Sequence, residues 1–157
     1  MLIRPATIDD ARSISRIHVE SWRTAYAEIY AEHVLAAFPF ERREREWHGI
    51  LADRLRSRFE FIAEDTYGKI FGFVSAGPER SGDPDFEGQV YAIHVLPDRK
   101  RRGVGQSLMA ATARRLLDDG IVSLLVWVLT DNHPARRFYE NLGGELVREQ
   151  QITTAGQ

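Results

Sequence analysis

Four consecutive basic residues, Arg99, Lys100, Arg101 and Arg102, run directly into Gly103-Val104-Gly105-Gln106. Ahead of them lie Val90 to Leu96, an apolar run with β-branched members, and then Pro97. Behind them Val104, Leu108, Ala111 and Leu116 recur at helical spacing. The run therefore predicts a strand, a basic loop and a helix opening at Gly103. Such a junction suits a phosphate, because first-turn amides lack intrahelical acceptors and the helix dipole favours an anion there. Gly103 and Gly105 bring no side chain that would hold an anion off the backbone. The plainer alternative is a solvated basic turn with glycine caps. A Walker loop is excluded because no Gly-x-x-x-x-Gly-Lys-Ser/Thr occurs, and a dinucleotide fingerprint because Leu108 stands where its third glycine belongs.

A second constellation follows about 30 residues later: Asn132, Ala135, Phe138, Tyr139 and Gly143, spaced Asn-x-x-Ala-x-x-Phe-Tyr-x-x-x-Gly. Together the two runs resemble the coenzyme A signature and the downstream motif of the GNAT N-acetyltransferases. In that family Arg/Gln-x-x-Gly-x-Gly/Ala opens a helix after a strand ending in a Val-x-Pro-like turn. Lys100 departs from the usual Gln or Arg but keeps the favourable charge. The resemblance implies acetyl-CoA as cofactor. Its pyrophosphate would lie on Lys100, Arg101, Arg102, Gly103, Val104, Gly105 and Gln106, and its pantetheine arm along Ile93, His94 and Val95, with an amide near Val95 on the thioester oxygen. Asn132, Ala135 and Phe138 would line the arm, Phe138 chiefly by packing, and Tyr139 would protonate the departing thiolate.

The resemblance also implies an acceptor site near the first helix, where Trp22 and Tyr26 belong to an aromatic passage reaching Phe40. Such side chains line small-molecule pockets, and they also pack under helices. His18 and Glu20 are the polar residues close by, His18 reading as a surface or already satisfied residue. The general base stays open. Gln89 and Trp127 occupy positions where some relatives carry glutamate, which counts against a ribosomal-protein acetyltransferase. Glu20, Glu87, His94 or a water relay remain. The expected activity is transfer of an acetyl group to a primary amine of a small molecule, amino acid or peptide. The alternative is an acyl-CoA-binding regulatory or sensor module without turnover.

The elements that must position these groups can be read in order. Leu2 to Pro5 is a short strand, and Thr7 with Asp10 a capping box before a helix burying Ala11, Ile14 and Ile17. Glu41 to Leu55 is a second helix, with Trp47, Ile50, Leu51 and Leu55 on one face. Phe59 to Ala63 and Lys69 to Ala76 are strands turning at Tyr67-Gly68, and Gly77 to Pro84 is a loop. The third helix stops at Gly120. Ile121 to Leu129 is a strand buried on both faces, and a last helix starts at Pro134 and stops at Gly143. By resemblance this is an α/β (α+β) fold: a GNAT-like central mixed, mostly antiparallel sheet with splayed middle strands, flanked by about four helices. Residues 1–157 form one domain. Little chain remains for a final strand, so that strand is short or missing, and a homodimer would cover the exposed edge.

Composition narrows the classes. The net charge of −2 makes the basic loop a local feature and argues against nucleic-acid binding. No cysteine is present, which removes disulfides, thiolate catalysis and cysteine metal sites, and no metal is expected. Met1 to Ala6 has no secretory h-region, and no apolar run approaches the ~20 residues of a membrane span. A soluble cytoplasmic protein follows from these readings.

Overall fold

The computed structural model describes residues 1–27 and 40–151, with Ala25 and Tyr26 described through their backbone only. Tyr26 as a substrate contact, the aromatic passage through Phe38 and the chain from Ile152 onward lie outside the described side chains. Five strands form one sheet in the order β1-β2-β3-β4-β5. They are β1 (Leu2–Pro5), β2 (Phe59–Glu64), β3 (Ile70–Pro78), β4 (Gly88–Val95) and β5 (Leu124–Val126). The first four pair antiparallel, and β5 runs parallel to β4. Helices α1 (Ala11–Tyr26) and α2 (Phe40–Ala52) cover one face, where Trp47 meets Phe73. Helix α3 (Val104–Asp118) covers the other, with Val104 and Leu108 against Gly72. Helix α4 (His133–Asn141) follows β5.

Alternation assigns the side chains. On β3, Phe73 and Ser75 point towards α1 and α2, while Gly72, Val74 and Ala76 point towards α3. Helix α3 buries Val104, Leu108, Thr112 and Leu116, one residue per turn, so Thr112 takes the core place expected of Ala111. Its hydroxyl is satisfied by donating to the Leu108 carbonyl at 2.9 Å. Before α1, the Thr7 amide donates to Asp10 Oδ2 at 2.7 Å, and Arg4 holds the same carboxylate at 2.9 and 3.0 Å.

Two features of β4 shape everything near it. Its register with β3 shifts between Ser75 and Ala76, so that Ser75 faces Ala92, Ala76 faces Val90, and Tyr91 is the extra residue of a bulge. On its other side β4 pairs with β5 only through Gly88, Gln89 and Val90. From Tyr91 to Val95 that side opens into a fork, the splaying expected from the resemblance.

The opening also corrects the reading of the fifth strand. Only Leu124 to Val126 pair, none of them fully buried, and Val122 is 78% exposed. The apolar run from Ile121 is continuous because part of it faces the fork, not because two layers cover it. The second helix ends at Ala52, and Leu55 is 95% exposed, so its predicted place on the buried face is wrong. The break at Asp53 explains this, because its side chain takes the Leu55 amide at 2.9 Å and turns the chain. Residues 145–151 form neither helix nor strand and are exposed, as the short chain end suggested.

Candidate active site

The basic loop is folded into an amide-lined concavity. Arg101 has φ 63°, a left-handed conformation that a side-chain-bearing residue seldom adopts, and Gly103, the N-cap of α3, has φ 78°. Left-handed residues alternating with ordinary ones turn successive N–H groups to the same side, an anion-binding nest. No side chain caps α3, and the Ser107 N–H donates to the Gly103 carbonyl at 3.0 Å. A Cβ added to Gly103 would meet nothing within 4 Å. Strain at Arg101 together with this uncapped helix start fits a bound diphosphate.

The fork begins next to that loop. Leu96 donates its amide to the Phe71 carbonyl at 2.9 Å, which places its backbone groups towards β3. Two-residue alternation then turns the backbone groups of Val95 and Ile93 away from β3, into the fork. His94 lies between them, so its backbone faces β3, and its ring packs against His18 and Phe73. Ser21 Oγ donates to the Val95 carbonyl at 3.3 Å, fixing α1 against this end of the strand.

Helix α4 is locked to the loop by one contact. A Cβ on Gly105 would stand 3.0 Å from Cε2 and Cζ of Phe138, so glycine here lets the Phe138 ring pack closely on α3. Phe138 is therefore a spacer between the two motifs. Its ring meets Tyr139 edge-on at 5.0 Å, and Tyr139 is half-buried. At the start of α4, Asn132 Oδ1 accepts the Ala135 amide at 3.2 Å. The cap occupies the oxygen of Asn132 and leaves its Nδ2 as the group that could meet a ligand. Gly143, at φ 93°, closes the far end, where the Gly144 amide donates to the Tyr139 carbonyl at 2.9 Å.

The α1/α2 face carries two clusters that sequence reading did not join. In the first, Trp47 Nε1 donates to His18 Nδ1 at 3.1 Å, and His18 stacks on His94 at 5.1 Å, both beside Phe73. Burial, then Arg43, lowers His18 to about 4. Burial, then His18, Lys100 and Arg43, lowers His94 to about 3. A group so reluctant to hold a proton is a poor base for an ammonium, so His94 loses its standing as candidate base, and His18 is an interior residue. Glu87 stands before β4 and accepts the Val122 amide at 3.4 Å, away from the fork. Glu20 is solvent-exposed, and Gln89 is buried with Oε1 on the Arg80 amide at 2.9 Å. Trp22 is half-buried on α1. The second cluster is Arg58, Glu60, Ser75, Tyr91 and Arg80. Its only sequence signal is charge at strand positions that alternation turns inward, which is visible only once the face is known.

The model for the acetyltransferase (GNAT) family matches residues 16–144. The chain belongs to that family. The N-acetyltransferase YuaI of Bacillus subtilis (strain 168) is 37% identical over 155 residues, covering 98% of this chain and 86% of the relative. A mycothiol acetyltransferase of Saccharomonospora viridis is 36% identical over 92 residues, covering 55% of this chain but only 30% of that protein. Among solved structures, the PaiA N-acetyltransferase of Thermoplasma acidophilum in complex with coenzyme A superposes with TM-score 0.78 at 18% identity, covering 96% of this chain and 92% of that one. AAC(6')-Iy in complex with a CoA-based bisubstrate analogue gives 0.67 at 22% identity, covering 98% and 96%. This GNAT protein is thus an acetyltransferase.

Proposed function

We propose that residues 1–157 are one GNAT domain that acetylates a small amine by direct attack on acetyl-CoA held between the α3 nest and the β4/β5 fork. The carrying observation is the left-handed pair Arg101 and Gly103 at an uncapped helix start, beside a strand whose outer side is unpaired from Tyr91 to Val95. Amides from Arg101 to Gln106, with Lys100 and Arg102 adding positive charge, hold the diphosphate. Ile93 and Val95 offer backbone groups to the arm, and an inward amide of this pair stabilises charge developing on the carbonyl oxygen. Bound there, acetyl-CoA supplies an activated acetyl group. Tyr139 gives its phenolic proton to the departing sulfur, Asn132 Nδ2 and Ala135 border the arm, and Trp22 walls the acceptor side. With Glu20, Glu87 and His94 disfavoured by position or by protonation, the ammonium proton leaves through water.

Small amines are the acceptors, in keeping with relatives named for mycothiol and a fold neighbour solved with an aminoglycoside-type analogue. No described helix is long and apolar enough to cross a membrane, and we place the enzyme in the cytoplasm, where its donor is made. We also propose a homodimer, which would cover Leu146 and Val147, exposed at 67% and 64%. The test of the main reading is thiol release from acetyl-CoA with a panel of amines, beside calorimetry of coenzyme A binding. Binding with amine-dependent thiol release supports the enzyme. Binding without release from any amine would leave a sensor, and no binding heat would remove the nest from the site.

A further inference from the structure

The roles above leave unused the charged cluster at the closed end of the fork. Glu60 is fully buried there, and its Oε2 accepts from Arg58 Nε at 2.9 Å and from Ser75 Oγ at 2.7 Å. Arg58 Nη2 also donates to Ser75 Oγ at 2.6 Å, and Arg56 Nε stands 3.5 Å from Glu60 Oε1. Oε2 of this carboxylate is therefore committed to Arg58 and Ser75, while Oε1 faces Arg56 Nε without a hydrogen bond. Arg80 is different. Its guanidinium lies 3.7 Å from the centre of the Tyr91 ring, with Arg58 over the same ring at 5.1 Å, and among the described residues it forms no ion pair, Glu60 acting on it only from a distance. Burial, then the neighbouring Arg58, pulls Arg80 below the ordinary guanidinium value, against smaller opposing effects of Tyr91 and Glu60, and the residue keeps an exposed side.

The seat of that guanidinium is built. Tyr91 is the bulged residue of β4, and its hydroxyl donates to the Pro78 carbonyl. A Cβ on Gly77 would stand 2.8 Å from the Tyr91 hydroxyl and 2.9 Å from Arg58 Cα, so only glycine leaves room for the phenol. Gln89 fixes the Arg80 backbone, and Trp127 Nε1 reaches over from the β5 side to donate to Ser81 Oγ at 2.8 Å. Bulge, glycine and clamp all serve to hold a cation and two aromatic rings at the point where the fork closes. Tyr91 stands on the same strand as Ile93 and Val95, ~7 Å and ~13 Å along it.

We infer that Arg80, seated on Tyr91, binds an anionic group of the acceptor, so that the favoured acceptors are amines carrying a carboxylate or phosphate. A guanidinium presents paired donors to either oxyanion, and Tyr91 and Trp127 supply the apolar walls beside it. The inference deepens the acetyltransferase reading and rests on it for the position of the reacting amine.

The experiment compares matched acceptors: phenylalanine with phenethylamine, and phosphoethanolamine with ethanolamine. Thiol release should favour the anionic member of at least one pair by about 10-fold or more in kcat/KM, carried by KM. The pair that shows the preference identifies the oxyanion. Arg80→Ala should collapse the ratio to within about threefold, and Arg80→Lys should restore part of it. Coenzyme A calorimetry and thermal melts confirm that the variants remain folded. A ratio near one in the parent, or one untouched by Arg80→Ala, overturns the inference while leaving the acetyltransferase reading intact. Calorimetry of N-acetylphenylalanine against its carboxamide on the coenzyme A-loaded protein needs no turnover. If no amine releases thiol yet the acid alone binds, the anion site stands and the catalytic reading falls. Equal binding of acid and amide counts against the site.

Discussion

Tyr139 and His18 show how much a single proton decides. A phenol beside the departing sulfur acts only in the chemical step, so Tyr139→Phe should lower kcat by about 10²- to 10⁴-fold while coenzyme A affinity measured by calorimetry stays within about twofold. A variant as fast as the parent would remove Tyr139 as the acid. For His18 the indole settles the tautomer. Trp47 Nε1 can only donate, so His18 Nδ1 must be bare and the proton of the neutral ring sits on Nε2. Nitrogen-15 spectra at neutral pH should show that tautomer. Both stacked histidines are held below their ordinary value of 6.5, at about 4 and about 3. The unfolded chain takes up these protons as pH drops through 6.5 and the folded chain does not, so stability is full above that value and falls as the solution is acidified. Urea melts should lose about 2 to 4 kcal/mol between pH 7.5 and pH 5 from this pair. Coincident midpoints at the two pH values would contradict a neutral pair.

Between elements, the decisive contact joins the start of α3 to the middle of α4. Gly105 belongs to the proposed phosphate loop and Phe138 to the helix that carries Tyr139, the proposed acid, and their closeness joins the two motifs. Gly105→Ala should force Phe138 aside, cost about 1–3 kcal/mol, and shift Tyr139 with it. Its signature is a drop in kcat larger than the loss of coenzyme A affinity, because the helix start keeps its amides. Gly103→Ala should behave the other way. It places a side chain at φ 78° where space is open, so the strain falls on the nest, and the expected loss is coenzyme A affinity with little change in kcat once the site is saturated. Swapped signatures would show that the division of labour between loop and helix is wrong.

At the scale of the whole molecule, the sheet ends at β5, and the chain after α4 lies exposed across its flank. Arg148 pairs there with Asp83, a buried acid in the loop that also carries Arg80 and Ser81. Light scattering at working concentration should report twice the chain mass if the exposed apolar residues of this tail meet a second copy, and a monomeric mass would end the dimer proposal. The local motifs were legible in the sequence because their physics is local. A helix start needs glycine and free amides at adjacent positions, and the second motif keeps a spacing that 3.6 residues per turn makes visible, as Asn132, Phe138, Tyr139 and Gly143 show on and around one helix. The Leu2–Pro5 strand, the Thr7–Asp10 turn and the α3 stripe, apart from its Ala111 member, were legible for the same reason. The true extent of β5 was not, because an apolar run looks alike whether a second layer or an open fork lies beside it. The stacking of His18 on His94, the Gly105–Phe138 contact and the seat of Arg80 on Tyr91 each join residues from separate elements, and in the last case across a strand bulge. Only tertiary structure decided them, because which face a side chain takes depends on register, and register is set by the partner strand and not by the residue itself.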